Sequence, residues 1–170
     1  MNALRSGVSV VSALAVAIWL GGLVALGAIT APIVFTVVSM PQSADAMTLV
    51  FRRFDLVAMS CAAVTLAAEA TRAVARVPFA RLDHGRAAVT TLAAIAATYE
   101  GTNVSPRIAA LHMSGAVRGL GPAGMELSRL HDIAEACGKA EVLLLLAVVA
   151  LQVICLTRRP EVRGDAPPVP

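Results

Sequence analysis

WLGGLVALGAITAPIVF, Trp19 to Phe35, sits inside a run from Ser6 to Ala44 that carries no charged residue. A single helix of a water-soluble domain cannot hide an apolar surface of that length, whereas a hydrocarbon core about 30 Å thick calls for about 20 apolar residues in helical form. The run predicts a first membrane span over residues 8–38. It is much longer than the roughly 7–15 apolar residues of a signal-peptide core, so a retained span is expected, not a cleaved leader. Small residues at Ala17, Gly21, Ala25 and Ala28 form a face on which a neighbouring helix can approach closely. Pro32 cannot donate to the carbonyl of Ala28, which predicts a kink or loosened turn there.

Composition extends this reading to the whole chain. Of 170 residues, 58% are hydrophobic and 15% charged, with a mean hydropathy of +0.77, outside the range of ordinary globular domains. The length gives room for about four spans with short connections. A net charge of +3, one Trp and one Tyr argue against a nucleic-acid surface. Cys61, Cys137 and Cys155 are far apart, without a C-x-x-C pair; Cys61 and Cys155 fall inside apolar segments and read as small packing residues.

A second span is expected over 46–76. Its uncharged centre, Leu56 to Ala68, is too short to cross alone, so the span must include Asp55, Glu69 or both, near its ends. Arg52 and Arg72 stand three residues from them as ion-pair partners, with their long side chains reaching for the interface. A third span is expected over 84–104, with Asp83 as its cap and Glu100 at its far boundary. Ser105 and Pro106 read as an N-cap and first helical position. Val104, Ile108, Leu111 and Gly115 then make one face of a short amphipathic surface helix. The fourth span is expected over 125–158.

The predicted fold is all-α: an integral membrane four-helix bundle with a short amphipathic surface helix between spans three and four. Residues 1–158 form a single transmembrane domain, and 159–170 a Pro-rich, disordered cytoplasmic tail. Arg5, Arg72, Arg76, Arg81, Arg86, Arg158, Arg159 and Arg163 fall on one side; Arg52, Arg53, Arg107, Arg118 and Arg129 fall on the other. That excess predicts a multi-pass inner-membrane protein with both termini in the cytoplasm.

This topology gathers Thr36, Asp55, Glu100, Asn103, Arg107, His131, Asp132 and Glu135 at the outer surface. Ionisable groups at membrane depth are candidates for function, so Asp55, Glu100, Asn103, Arg107, His131 and Glu135 are the ligand or ion candidates of an outward-facing pocket. The competing reading is that helix ends are polar because they meet headgroups. His131 and Glu135 share a helix face. They suit a divalent metal with Asp55 or Glu100 as third ligand, a proton-coupled pair, or, through Glu135 and Lys139, an ordinary ion pair. Haem ligation would need two imidazoles inside the bundle. His84 falls in a connection, His112 on the surface helix, and only His131 near a span. No metal, cofactor or catalytic residue is assigned.

Gly119 to Gly124 matches G-x-G-x-x-G but follows a helix and contains Pro122, so it does not read as a dinucleotide fingerprint. Arg163-Gly164-Asp165 reads as chance on a cytoplasmic tail. No nucleophile–base set is present, and the chain does not read as an enzyme.

WLGG and APIVF in the first span (Trp19, Gly21, Gly22, Pro32, Phe35), Phe51-Arg-Arg-Phe54, Asn103-Val-Ser-Pro106-Arg107 and Leu130-His131 resemble, in order and spacing, the transmembrane-protein-205-like family. That resemblance covers residues 8–157 and implies a four-helix integral membrane protein with no established chemistry. Family members often carry Ser or Asn after the last His, where this chain has Glu135 and Gly138. A more distant similarity links WLGG to copper-resistance membrane proteins, whose neighbouring His is missing here. Three functions remain open: a small permease-like or ligand-binding protein using the outer polar cluster, a structural or accessory subunit, and a metal- or haem-binding redox subunit. The expected partners are the lipid bilayer and a second copy or another membrane protein; nucleic acid is not among them.

Overall fold

The computed structural model describes residues 2–74 and 81–157, and every regular element among them is helical. Helix α1 (Asn2–Val24) runs through a π-helical segment (Ala25–Thr30) into α2 (Ala31–Val37). A turn with a cis Met40–Pro41 bond leads into α3 (Gln42–Val74). Helix α4 (Arg81–Tyr99) runs through a second π-helical segment (Glu100–Val104) into α5 (Ser105–Met113), and a glycine-rich link leads to α6 (Gly121–Thr157). The four resulting rods close into a ring: α1 packs on α3 and α6, and α4 packs on the same two helices from the opposite corner.

Two of the rods, Ser6–Val37 and Gly121–Cys155, are long and apolar enough to cross a membrane, with mean hydropathies of 2.3 and 2.0. Only 22% and 17% of their most apolar windows are buried within the protein. Large side chains such as Leu14, Ile18, Leu143 and Leu146 face outward. The central core is small-residue packing: Val16, Ala58, Ala62, Ala93, Ala94, Ala97, Leu145 and Val148 around Trp19. Alanine on the facing surfaces brings the backbones close, so cohesion rests on many short van der Waals contacts. A second cluster, Val104, Ile108, Leu127 and Leu130, seats α5 against α6.

Several local expectations change. The face of Ala17, Gly21, Ala25 and Ala28 is exposed, and α1 instead buries Ser12, Ala15, Val16 and Trp19. The indole decides the rotation: Trp19 needs both burial and a partner for its N–H, and Gly21 lies about 200° around the helix from it. The loosened turn predicted at Pro32 is the preceding π-helical segment, where the N–H of Ala31 reaches back to the carbonyl of Leu26. Asp83 lies within the first described turn of α4 and not ahead of the helix, and it pairs with Arg86. Ser105 makes no capping bond, because Val104 before it is already helical (φ −86, ψ −58). The predicted surface helix is thus the bent continuation of α4. Gly119 (φ +80) and Gly121 (φ +64) hold left-handed turns in the link. A Cβ on Gly124 would fall 2.0 Å from the carbonyl oxygen of Val117. These glycines serve a tight connection. Residues 75–80, where the second expected span ends and the link to the third begins, and the expected 159–170 tail lie outside the described residues.

Candidate functional site

Trp19 is fully buried, and its indole N–H donates across the bundle to Glu141 Oε2 at 3.0 Å. Glu141, on α6, is itself only 2% exposed. Three residues after Trp19, Gly22 leaves the space that the Phe54 ring of α3 fills; a Cβ there would sit 2.2 Å from Phe54 Cε2. That contact locks α1 against α3 beside Asp55. Asp55 is 9% exposed; the Ser105 hydroxyl lies within reach of its carboxyl, while Oδ2 has no hydrogen-bond partner.

Glu100 opens the second π-helical segment. Such wide turns cluster at functional sites because they re-aim a side chain without ending the helix. Gly101 permits the close approach, since a Cβ there would lie 3.2 Å from Asp55 Cβ. The carboxyl of Glu100 is within hydrogen-bonding reach of Glu141, and Asp55 is within electrostatic reach of both. An ionised carboxylate only accepts, so a bond between two carboxyls needs a proton on one of them. Each of the four rods thus supplies one member: Trp19, Asp55, Glu100 and Glu141. Arg52 on α3 and the Cys137 thiol on α6 are the further titratable groups within reach.

Of the residues singled out from sequence, Asp55 and Glu100 come together and the rest do not join them. Glu135 is exposed and pairs with Lys139 at 2.6 Å. Arg107 is exposed and pairs with Glu126 at 2.7 Å. Thr36 spends its hydroxyl on the carbonyl of Pro32. Asn103 is exposed in a groove between α3 and α4. Half-buried His131 meets His112 edge to face, with ring centroids 5.9 Å apart, and Asp132 pairs with Arg118. His131 precedes Glu141 by ten residues, about 15 Å along the helix, and so stands apart from the acid cluster. Among the described residues, no group of three His, Cys, Asp or Glu side chains is arranged to hold a metal ion.

Sequence reasoning passed over Glu141, although a lone acid before sixteen uncharged residues is itself a signal. It paired Glu69 with Arg72, and that pair is present, but it did not bring Arg86 to Glu69; both are buried within the protein. Arg86 grips Glu69 with two bonds, Nε to Oε1 at 2.9 Å and Nη2 to Oε2 at 3.0 Å. It also reaches Asp83 at 2.9 Å. Arg72 adds a bond to Glu69 and one to Ser9 of α1, and Cys155 of α6 points its thiol at Asp83.

A family model described as a domain of unknown function (DUF4149) matches residues 14–116, more than half of the chain. The chain belongs to the DUF4149 family. The match takes in Trp19, Gly22, Phe54, Asp55 and Glu100 and ends before His131 and Glu141. No curated protein and no solved structure matches the DUF4149 chain.

Proposed function

We propose that this DUF4149 chain is a four-span inner-membrane protein, its termini cytoplasmic, in which Glu100, Glu141 and Asp55 take up and release protons during a permease-like cycle. The contact between the Glu100 and Glu141 carboxyls carries this reading. Two buried acids, Asp55 and Glu141, and the half-buried Glu100, with one nearby arginine, repel each other when ionised, and a shared proton relieves that cost. Mostly exposed apolar flanks on two rods, and the likeness of WLGG and APIVF to transmembrane-protein-205-like proteins, support the membrane setting.

Trp19 is the single tryptophan of the chain and touches Glu141 directly, so its fluorescence reports on the cluster. For the full chain in lipid nanodiscs, Trp19 emission is expected to titrate with pH. Glu141→Gln keeps an acceptor for the indole and should abolish the titration, whereas exposed Glu135→Gln should preserve it. A pH-independent wild type, or a Glu141→Gln variant that titrates like wild type, refutes proton uptake. Reporters inserted at Gly119 and at the C-terminus should report opposite sides; reporters on one side refute the four-span arrangement.

A further inference from the structure

The second π-helical segment leaves a backbone oxygen without a donor beside the acid cluster. In an α-helix the Gly101 carbonyl would accept from the N–H of Ser105, but that N–H goes to the carbonyl of Glu100. The next residue is Pro106, which has no N–H to give. A helical carbonyl points along the axis toward the residue four ahead, so the freed oxygen is directed at Ser105. Residues 101 and 105 share one helix face, and α3 packs against it. A Cβ on Gly101 would fall 3.2 Å from Asp55 Cβ and 3.2 Å from the Met59 sulfur. Ser105 is buried, with its hydroxyl within reach of the Asp55 carboxyl.

Three kinds of oxygen thus gather on one face: a backbone carbonyl, a hydroxyl and a carboxyl whose buried Oδ2 has no hydrogen-bond partner. Charge is unbalanced there as well. Glu100 and Glu141 lie within electrostatic reach of Asp55, whereas Arg52, the arginine within reach, is exposed. At the other end of the bundle, Arg72 and Arg86 bond Glu69 directly. A broken turn within a membrane protein persists where its freed carbonyl meets a polar partner, and freed carbonyls with a carboxylate suit a hard cation. Among the described residues no three acid side chains are arranged around a metal ion. One carboxylate with neutral oxygens matches a single positive charge, and the close approach of Gly101 to Asp55 favours a small ion.

We propose that Asp55, the Ser105 hydroxyl and the Gly101 carbonyl bind a sodium ion between α3 and the bend that joins α4 to α5. The site rests on the proposed proton cluster in sharing Asp55, and its other two ligands are its own.

The test uses the full chain in zwitterionic nanodiscs, with thermal unfolding measured in sodium, potassium and choline chloride at equal ionic strength. Sodium should raise the melting temperature saturably, and the other two should not. Asp55→Asn should abolish the rise. Ser105→Ala should need about tenfold more sodium, the loss expected when a group bonded to a charge is removed. Pro106→Ala supplies the missing N–H and should weaken the sodium response while every carboxyl stays in place. An equal rise with potassium or choline, no rise at all, or a sodium response kept in full by any of the three variants overturns the proposal. If the Trp19 emission still titrates with pH while sodium has no effect, this site alone is wrong. Sodium binding by a protein whose Trp19 emission does not titrate removes only the proton reading.

Discussion

Gly22→Ala puts a methyl group where the Phe54 ring now lies. Its Cβ would be 2.2 Å from Cε2 and 2.7 Å from Cζ, well inside the roughly 3.5–4.0 Å at which carbons rest in contact. The ring must swing away or α1 and α3 must part, and overpacking of this kind costs about 1–3 kcal/mol. Against it stands a gain of about 1 kcal/mol in helix propensity when Gly becomes Ala. The steric cost wins, and a net loss of about 1 kcal/mol is expected. Gly21 is the internal control, because nothing lies within 4 Å of a Cβ there; Gly21→Ala should be neutral or slightly stabilising. Unfolding in mild detergent, followed through Trp19 emission, measures both. A double-mutant cycle sharpens the result: in a Phe54→Ala background, Gly22→Ala should lose its penalty, a coupling of about 1 kcal/mol. The reasoning fails if Gly22→Ala is as stable as Gly21→Ala, or if its penalty persists without the Phe54 ring.

Other consequences are read the same way. Arg86→Met leaves Glu69 buried with half its partners and should cost about 3–5 kcal/mol in unfolding experiments, much of it recovered by adding Glu69→Leu. Arg107→Ala removes an exposed ion pair and should change stability by no more than about 0.5 kcal/mol, whatever the short distance suggests. Trp19→Phe keeps an aromatic ring but deprives Glu141 of its donor, and a loss of about 1–3 kcal/mol is expected, smaller when Glu141 is replaced by Leu as well; chemical unfolding followed by circular dichroism measures it.

The rods themselves were legible, because apolar length and the positions of Arg, Pro and Gly write helix extents directly into a sequence. The π-helical segment before Pro32 was legible in kind, since a missing N–H leaves few local solutions. Rotations about the helix axes were not. A row of small residues marks where a helix can pack, not where it does, and on α1 a single indole with a buried acceptor outweighs four small side chains. Asp55 and Glu100 could be placed at one end by counting from apolar segments. That count gives height along the bundle but not azimuth, so it grouped His131 and Glu135 with them, although their side chains lie farther along α6 and elsewhere on it.

One regularity would have exposed Glu141. Asp55 and Glu69 are fourteen residues apart on α3, Arg86 and Glu100 on the rod formed by α4 and its π-helical continuation, and Glu141 and Cys155 on α6. Fourteen residues are just under four turns, about 21 Å, so the same faces of three helices meet at two levels, with the alanine-rich core between them. The levels differ in charge. At one, Arg72 and Arg86 balance Glu69 and Asp83 through direct bonds; no member can lose its charge without stranding another. At the other, three acids have the Trp19 N–H as donor, with the Ser105 hydroxyl within reach of Asp55, and a proton can come or go without breaking an ion pair. The first level suits rigidity, and the proposed proton uptake belongs to the second. Neutralising Glu69 together with Arg86 should therefore alter the unfolding midpoint while the Trp19 titration persists. Glu100→Gln should alter the titration at a smaller cost in stability. If both changes move stability and titration in parallel, the two levels do not divide the work, and the acid cluster is only another packing contact.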